Sequence, residues 1–93
     1  MKQVNDRKLE SVEMLVKKKP IMLLLRLHDH PELSVHRIAM DIDVTYSHAS
    51  RVLKQFVDDK LVKVEREGRR NKCTFTDEGQ KIYNMMNRLK RLL

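Results

Sequence analysis

The residues with the clearest chemistry lie in two basic stretches of the chain. The first stretch, residues 45–54, carries hydroxyl, imidazole, guanidinium and ammonium groups. These groups belong to Thr45, Tyr46, Ser47, His48, Ser50, Arg51 and Lys54. The second stretch, residues 67–72, carries Arg69, Arg70, Asn71 and Lys72. Donors of this kind bind phosphate oxygens and base edges, so both stretches indicate a nucleic-acid partner.

The first stretch also has the pattern of an amphipathic helix. Its apolar residues recur with i, i+3, i+4, i+7 spacing, and they are Ala49, Val52, Leu53 and Phe56. At about 100° per residue they share one face, while Ser47, Arg51 and Lys54 point the opposite way. That polar face has no acidic residue between Thr45 and Val57. An ordinary solvated helix face is the plainer interpretation, and a phosphate-rich partner is the functional one.

The composition supports the functional interpretation. The chain has 93 residues, enough for one domain with a modest core. Its 20 Lys and Arg residues against 13 Asp and Glu residues give a net charge of +7, which favours DNA, RNA or an anionic membrane as partner. With no Trp, two Tyr and two Phe, the sequence argues against aromatic stacking platforms for single strands.

The sequence also bears on where the protein works. No run of about 18 apolar residues is present, so no transmembrane helix is predicted. The first residues lack the apolar centre of a signal peptide, and the single cysteine, Cys73, cannot form an internal disulfide. We therefore expect an intracellular protein.

Four further elements must position the two basic stretches. Residues 1–19 are predicted to form a helix whose inner face carries Leu9, Val12 and Val16, with three lysines at its end. A second helix, apolar nearly all round, is expected to begin at Pro20 and to end at residues 28–31. A short helix capped by Ser34 precedes a turn in which Asp43 is suited to a left-handed conformation, and Thr45 then caps the amphipathic helix.

The remaining residues predict a β-hairpin and a long last helix. Val62 and Val64 alternate with charged residues, residues 67–71 form a turn, and the chain returns from Lys72 to Thr76. Thr76 is a good cap for the helix that follows. This helix carries an apolar stripe of Ile82, Met85, Met86, Leu89, Leu92 and Leu93. We expect the stripe to form a homodimer, together with the first helix.

In this order the elements resemble a winged helix-turn-helix domain of the MarR-like and related archaeal transcription regulators. The resemblance covers residues 20 to 82. It rests on LSVHRIAMDIDVTYSHASRVLKQFVDDKLVKV and on FTDEGQKI, which is similar to the family's leucine-threonine-x-x-glycine element after the wing. It implies a mainly α fold with a small β-hairpin. It also implies an N-terminal helix at 1–19, a DNA-binding domain at 20–76 and a dimerisation helix at 77–93.

The resemblance implies a cytoplasmic, nucleoid-associated regulator that binds double-stranded DNA. Residues 45–58 would form the recognition helix in the major groove, and residues 67–72 the wing on the backbone or minor groove. Arg51 then becomes the leading candidate for a bidentate contact to guanine. Lys54 is expected at a phosphate, and Tyr46 either bonds a phosphate or packs. Of Arg69 and Arg70, only one can face the groove if the strand alternates.

The sequence departs from the family pattern in three places. Lys60 stands where a glycine usually follows the recognition helix, so the helix must end by another geometry or accept strain. The wing lacks the aspartate that often precedes the paired arginines. The chain also leaves little material for an effector pocket, so no small-molecule effector and no cofactor are predicted.

Other functions have weaker support in the sequence. No carboxylate pair, glycine-rich phosphate loop or nucleophile elbow indicates an enzyme. His28, Asp29 and His30 could be metal ligands but do not share a helix face, so they are expected to be ordinary surface residues. Cys73 is expected to pack inward rather than act as a redox switch. The main alternative is a winged helix used as a non-specific architectural DNA-binding module or as a protein-interaction module.

Overall fold

The computed structural model describes residues 17–92, without the side chains of Arg70 and Leu92. The described part of the chain contains four helices and two strands. The helices are α1 (Lys18–Asp29), α2 (Val35–Asp41), α3 (Tyr46–Asp58) and α4 (Asp77–Leu92). The strands β1 (Val62–Glu67) and β2 (Arg70–Phe75) form one antiparallel hairpin. This is the winged helix-turn-helix fold that the sequence predicts.

The core lies where α1, the pair formed by α2 and α3, and the base of the hairpin meet. Its buried members are Leu23, Leu24, Leu27, Ile38, Ile42, Val52, Phe56, Leu61 and Val62. Helix α1 lies at the centre, because its leucines at 23, 24, 25 and 27 are all buried. A helix that is apolar nearly all round needs such surroundings, and this explains why α2, α3 and the hairpin pack around it.

Helix α1 begins two residues earlier than expected. Its first residue is Lys18, so Pro20 is the third helical residue rather than the first. Proline is tolerated there because the first backbone N–H groups of a helix have no partner within it. The prediction that Lys18 and Lys19 end the preceding helix was therefore wrong. Lys19 instead donates a hydrogen bond from Nζ to the Ile42 carbonyl at 2.5 Å, which ties the start of α1 to the end of α2.

The two caps predicted for the helix pair are confirmed. The Ser34 hydroxyl accepts a hydrogen bond from the Arg37 N–H at 3.1 Å, at the start of α2. The Thr45 hydroxyl accepts one from the His48 N–H, also at 3.1 Å, at the start of α3. Each cap satisfies one of the backbone donors that a helix start leaves without a partner. The start of α3 is therefore set by the local sequence.

Both helices of the pair end in the same way. After α2, the Val44 N–H bonds the Ala39 carbonyl and the Asp43 N–H bonds the Met40 carbonyl. This is the Schellman pattern, and it places Asp43 at a φ of 61°, as predicted.

After α3, the Leu61 N–H bonds the Phe56 carbonyl and the Lys60 N–H bonds the Val57 carbonyl. Lys60 takes a φ of 62° in the position where the resemblance implies a glycine. A left-handed conformation costs a residue with a Cβ atom about 1–2 kcal/mol. Of the two possibilities predicted for this position, the chain accepts the strain, and α3 ends with the same Schellman pattern as α2.

Candidate nucleic-acid interface

Helix α3 presents its polar face to solvent. Ala49, Val52 and Phe56 are buried beneath the helix, and Ser47, Arg51 and Lys54 are exposed above it. Tyr46 is 54% exposed, while His48 and Ser50 are half-buried at the edges. The structure thus places all seven polar residues predicted in this stretch on one side of α3 or at its start.

The two cations of this face differ in their surroundings. Lys54 forms an ion pair with Asp58 one turn later, at 3.6 Å, but its side chain remains 75% exposed. Exposed pairs of this kind contribute about 0.3–0.5 kcal/mol, so the ammonium is easily released to another anion. Arg51 makes no ion pair with any residue between 17 and 92. Its guanidinium therefore keeps its full set of donors for a partner.

The turn at the tip of the wing is shorter than the sequence predicted. Cross-strand pairing runs from Val62 with Phe75 to Glu67 with Arg70, so the turn contains only Gly68 and Arg69. Gly68 has a φ of 64° and Arg69 does not have a positive φ, the pattern of a two-residue II′ turn. The predicted turn at 67–71 was wrong in length, because Arg70 and Asn71 already belong to β2.

Residues of opposite charge face each other across the hairpin of the wing. Glu65 lies opposite Lys72, and Glu67 lies opposite Arg70, whose side chain is outside the described part of the structure. Arg69 is exposed at the tip, and Asn71 and Lys72 are exposed along β2. Arg69 is in the turn and has no cross-strand neighbour, so its position is the closest to the tip among the wing residues predicted to bind DNA.

Sequence reasoning missed Arg66 as a wing residue. Its Nε donates a hydrogen bond to the Gly68 carbonyl at 3.0 Å, so the guanidinium lies at the turn. In the sequence, Arg66 continues the alternation of Val62 and Val64, which predicts a strand residue, and it does lie in β1. Only the hairpin register shows that this position reaches the tip. Arg66 adds positive charge there and holds the turn.

The predicted dimer residues divide into those that pack within the chain and those that do not. Ile82 and Met86 pack partly against the core, whereas Met85 is 57% exposed. Leu89 lines an open groove of about 790 Å³ between α1 and α4, whose rim carries Lys18, Arg26 and Lys90. Outside the described part lie Leu9, Val12, Val16, Leu93 and the side chain of Leu92.

An aromatic and polar cluster joins α1 to α4. The His28 ring stacks on Tyr83 with centroids 3.6 Å apart, and its Nε2 lies 2.9 Å from the Gln80 side-chain oxygen. The Tyr83 hydroxyl donates to Asp29 at 2.6 Å, which lowers the pKa of the Asp29 carboxyl and raises the pKa of the Tyr83 hydroxyl. Within residues 17–92 no group of three His, Cys, Asp or Glu side chains is arranged to hold a metal ion.

Cys73 packs against the core, as predicted. Burial raises the pKa of its thiol to about 11, so the thiol is protonated at neutral pH. A protonated, partly buried thiol is a poor nucleophile, which agrees with a packing role.

Comparison with known proteins identifies the family. The model of the MarR family matches residues 19–70, which is more than half of the chain. The chain belongs to the MarR family. It is therefore a MarR-family DNA-binding transcriptional regulator rather than an enzyme.

Relatives of this MarR-family chain are found among archaeal and bacterial proteins. An uncharacterized protein from Archaeoglobus fulgidus is 29% identical over 77 residues, which cover 78% of this chain and 81% of that protein. The crystal structure of AF1382 from Archaeoglobus fulgidus is similar, with 25% identity, a TM-score of 0.71 and coverage of 87% of this chain and 93% of that one. Reduced HlyU from Vibrio cholerae shares the fold at 21% identity and a TM-score of 0.71, over 94% of this chain and 88% of its own.

No helix of this MarR-family protein within residues 17–92 is both long and apolar enough to cross a bilayer.

Proposed function

We propose that this MarR-family regulator binds double-stranded DNA sequence-specifically as a homodimer. Helix α3 enters the major groove, and the wing at 67–72 lies along the backbone or in the minor groove. The proposal rests on the polar face of α3, where Ser47, Arg51 and Lys54 are exposed over a buried apolar face. A face without acids between Thr45 and Val57, together with the exposed cations of the wing, is complementary to a phosphate-lined groove. A cytoplasmic, nucleoid-associated location and the division at 1–19, 20–76 and 77–93 belong to the same proposal.

Arg51 is the residue proposed to read a base. Its guanidinium is exposed and, within the described residues, has no ion pair, so it can donate two parallel hydrogen bonds to guanine O6 and N7. The hydroxyls of Thr45, Ser47 and Ser50 and the imidazole of His48 precede Arg51 in α3 or at its start, and they are proposed to contact phosphates or bases. Lys54 is proposed to bind phosphate as a point charge.

We expect Arg51→Ala to lower the affinity for the preferred duplex about tenfold per recognition helix and to relax the preference at one base step. Fluorescence anisotropy with a duplex chosen by selection from random sequences, and with single-base variants of it, measures both effects. Arg51→Lys is the matched control, because it keeps the charge but loses the bidentate geometry. It should retain binding to unrelated duplexes and lose the base preference. An Arg51→Ala protein with unchanged affinity and preference would contradict the proposed role.

The dimer is proposed to form through α4 and the N-terminal segment. Met85 is exposed, and Leu89 lines the groove beside it, so these two residues have apolar surface that the described part of the chain does not cover. A two-fold dimer would place the recognition helices about 34 Å apart, one turn of duplex. The preferred site should then be a pseudo-palindrome.

Replacing both Met85 and Leu89 by aspartate should convert the dimer into a monomer, since two carboxylates would be desolvated in the interface. Sedimentation equilibrium measures the mass. A matched control places Asp at Asn84 and Arg91, which are exposed on another face of α4 and should leave the dimer intact. A protein that is already monomeric before substitution would refute the dimer and leave the DNA-binding proposal to be judged by Arg51.

A further inference from the structure

One aromatic contact links the two helices of the helix-turn-helix on the solvent side. The ring of His36, in the first turn of α2, lies 5.7 Å from the ring of Tyr46, the first residue of α3, at an angle of 48°. Both side chains are exposed, so the contact is outside the core. It joins the recognition helix to a residue that neither the charge pattern nor the helix pattern singled out.

Tyr46 is the most exposed of the four Tyr and Phe rings within residues 17–92. More than half of its surface is open, and its hydroxyl has no hydrogen-bond partner within the described residues. Met40, one turn after His36 on α2, is 64% exposed. A tyrosine presents an apolar ring and a hydroxyl donor together, and this pair suits the sugar and the phosphate at the edge of a groove.

We infer that His36 is a positioning residue that holds the Tyr46 ring so that its hydroxyl binds a DNA phosphate beside the major groove. This inference rests on the proposed function. The His36 ring limits the rotation of the Tyr46 side chain, so less conformational freedom is lost when DNA binds. On this inference Tyr46 has both of the roles left open for it: its ring packs on His36, and its hydroxyl bonds a phosphate from that position.

A contact of this kind has a signature that charged contacts do not have. A phosphate bond fixes the register of the protein on the duplex but carries no sequence information. A neutral hydroxyl displaces no condensed counterion, so its loss should leave the slope of log affinity against log salt unchanged. Loss of Arg51 or of the wing arginines should instead change the base preference or the slope.

The test is a double-mutant cycle on duplex DNA, measured by anisotropy at several salt concentrations. Tyr46→Phe removes the hydroxyl and should lower affinity about fivefold per recognition helix, for all sequences alike and with an unchanged salt slope. His36→Ala should lower affinity about threefold, and His36→Phe, which keeps a ring against Tyr46, should stay within about twofold of the natural protein. In a Tyr46→Ala background, His36→Ala should have no further effect.

Three outcomes would overturn the inference. If the effects of His36→Ala and Tyr46→Ala add, His36 contacts DNA by itself and does not position Tyr46. If Tyr46→Phe binds duplex DNA as well as the natural protein while Arg51→Ala binds it more weakly, the phosphate contact of Tyr46 is absent. The proposed function still stands in that case. If Arg51→Ala and the wing variants are also unimpaired, the proposed function fails together with the inference. Thermal unfolding of each variant checks that substitution of these exposed residues leaves the fold intact.

Discussion

Gly79→Ala should destabilise the protein by about 3 kcal/mol, the largest effect on stability that we expect from adding one methyl group. A Cβ atom at residue 79 would lie 1.8 Å from the Leu61 carbonyl oxygen and 2.8 Å from its carbonyl carbon. Both are backbone atoms, so no side chain can rotate away. The N-terminal turn of α4 would have to move off Leu61, which lies shortly after the end of α3.

The Leu61 carbonyl is held in place by the same junction. It accepts a hydrogen bond from the Thr76 N–H at 3.0 Å and lies 3.1 Å from the Thr76 hydroxyl, which also reaches the Lys60 carbonyl at 2.6 Å. The Thr76 hydroxyl oxygen in turn accepts a bond from the Gly79 N–H at 3.0 Å. A residue larger than glycine would therefore break bonds at the end of α3, at the end of β2 and at the start of α4 together.

Chemical denaturation measures the change, and thermal unfolding should show a loss of more than about 12 °C for a domain of this size. The other glycine of the chain is the matched control. At Gly68 an added Cβ atom would meet nothing within 4 Å, so only the positive φ opposes alanine. Gly68→Ala should cost about 1 kcal/mol. If the two variants are equally stable, the close approach of α4 to Leu61 does not occur.

Removal of Arg69 and Arg70 from the wing should have the largest effect on DNA binding. We expect Arg69→Ala with Arg70→Ala to lower affinity about a hundredfold per wing, because each guanidinium is proposed to make a charge-assisted bond to the backbone or minor groove. The loss should be similar for all duplexes. The slope of log affinity against log salt should fall by about 1.8 if one wing is bound and by about 3.6 if a dimer binds with both.

The change in this slope therefore reports how many wings are bound to the DNA, and it also tests whether the wing contacts phosphates. Anisotropy titrations between low and physiological salt measure it. The control replaces Arg88 and Arg91 by alanine, which removes the same charge from exposed positions near the end of α4. If the control weakens binding as much as the wing variant, net charge alone attracts the DNA and the wing makes no specific contact. Single substitutions should show the larger loss at Arg69, which occupies the turn.

The local sequence predicted the parts of the fold that short-range chemistry decides. The caps at Ser34, Thr45 and Thr76 were predicted correctly because a hydroxyl that caps a helix acts on an N–H three residues later. The left-handed conformation of Asp43 followed from the few residue types that adopt it cheaply. The polar face of α3 followed from spacing alone.

Features that depend on distant residues were not visible in the sequence. The role of Gly79 depends on the Leu61 carbonyl, eighteen positions earlier, and the His36–Tyr46 contact joins two different helices. The position of Arg66 at the tip depends on the hairpin register, because a turn of two residues rather than five changes which side chains reach the end. The DNA-binding residues themselves stay predictions, since their role is decided by a partner.

The central claim is that α3 reads base sequence, and the ratio of specific to non-specific affinity tests it most directly. A duplex selected from random sequences by the natural protein is titrated at physiological salt beside a shuffled duplex of the same length and composition. We predict that the selected duplex contains a pseudo-palindrome and binds at least about a thousandfold more tightly than the shuffled one. A ratio near one would contradict sequence reading by α3 and would favour a winged helix that binds DNA through charge alone.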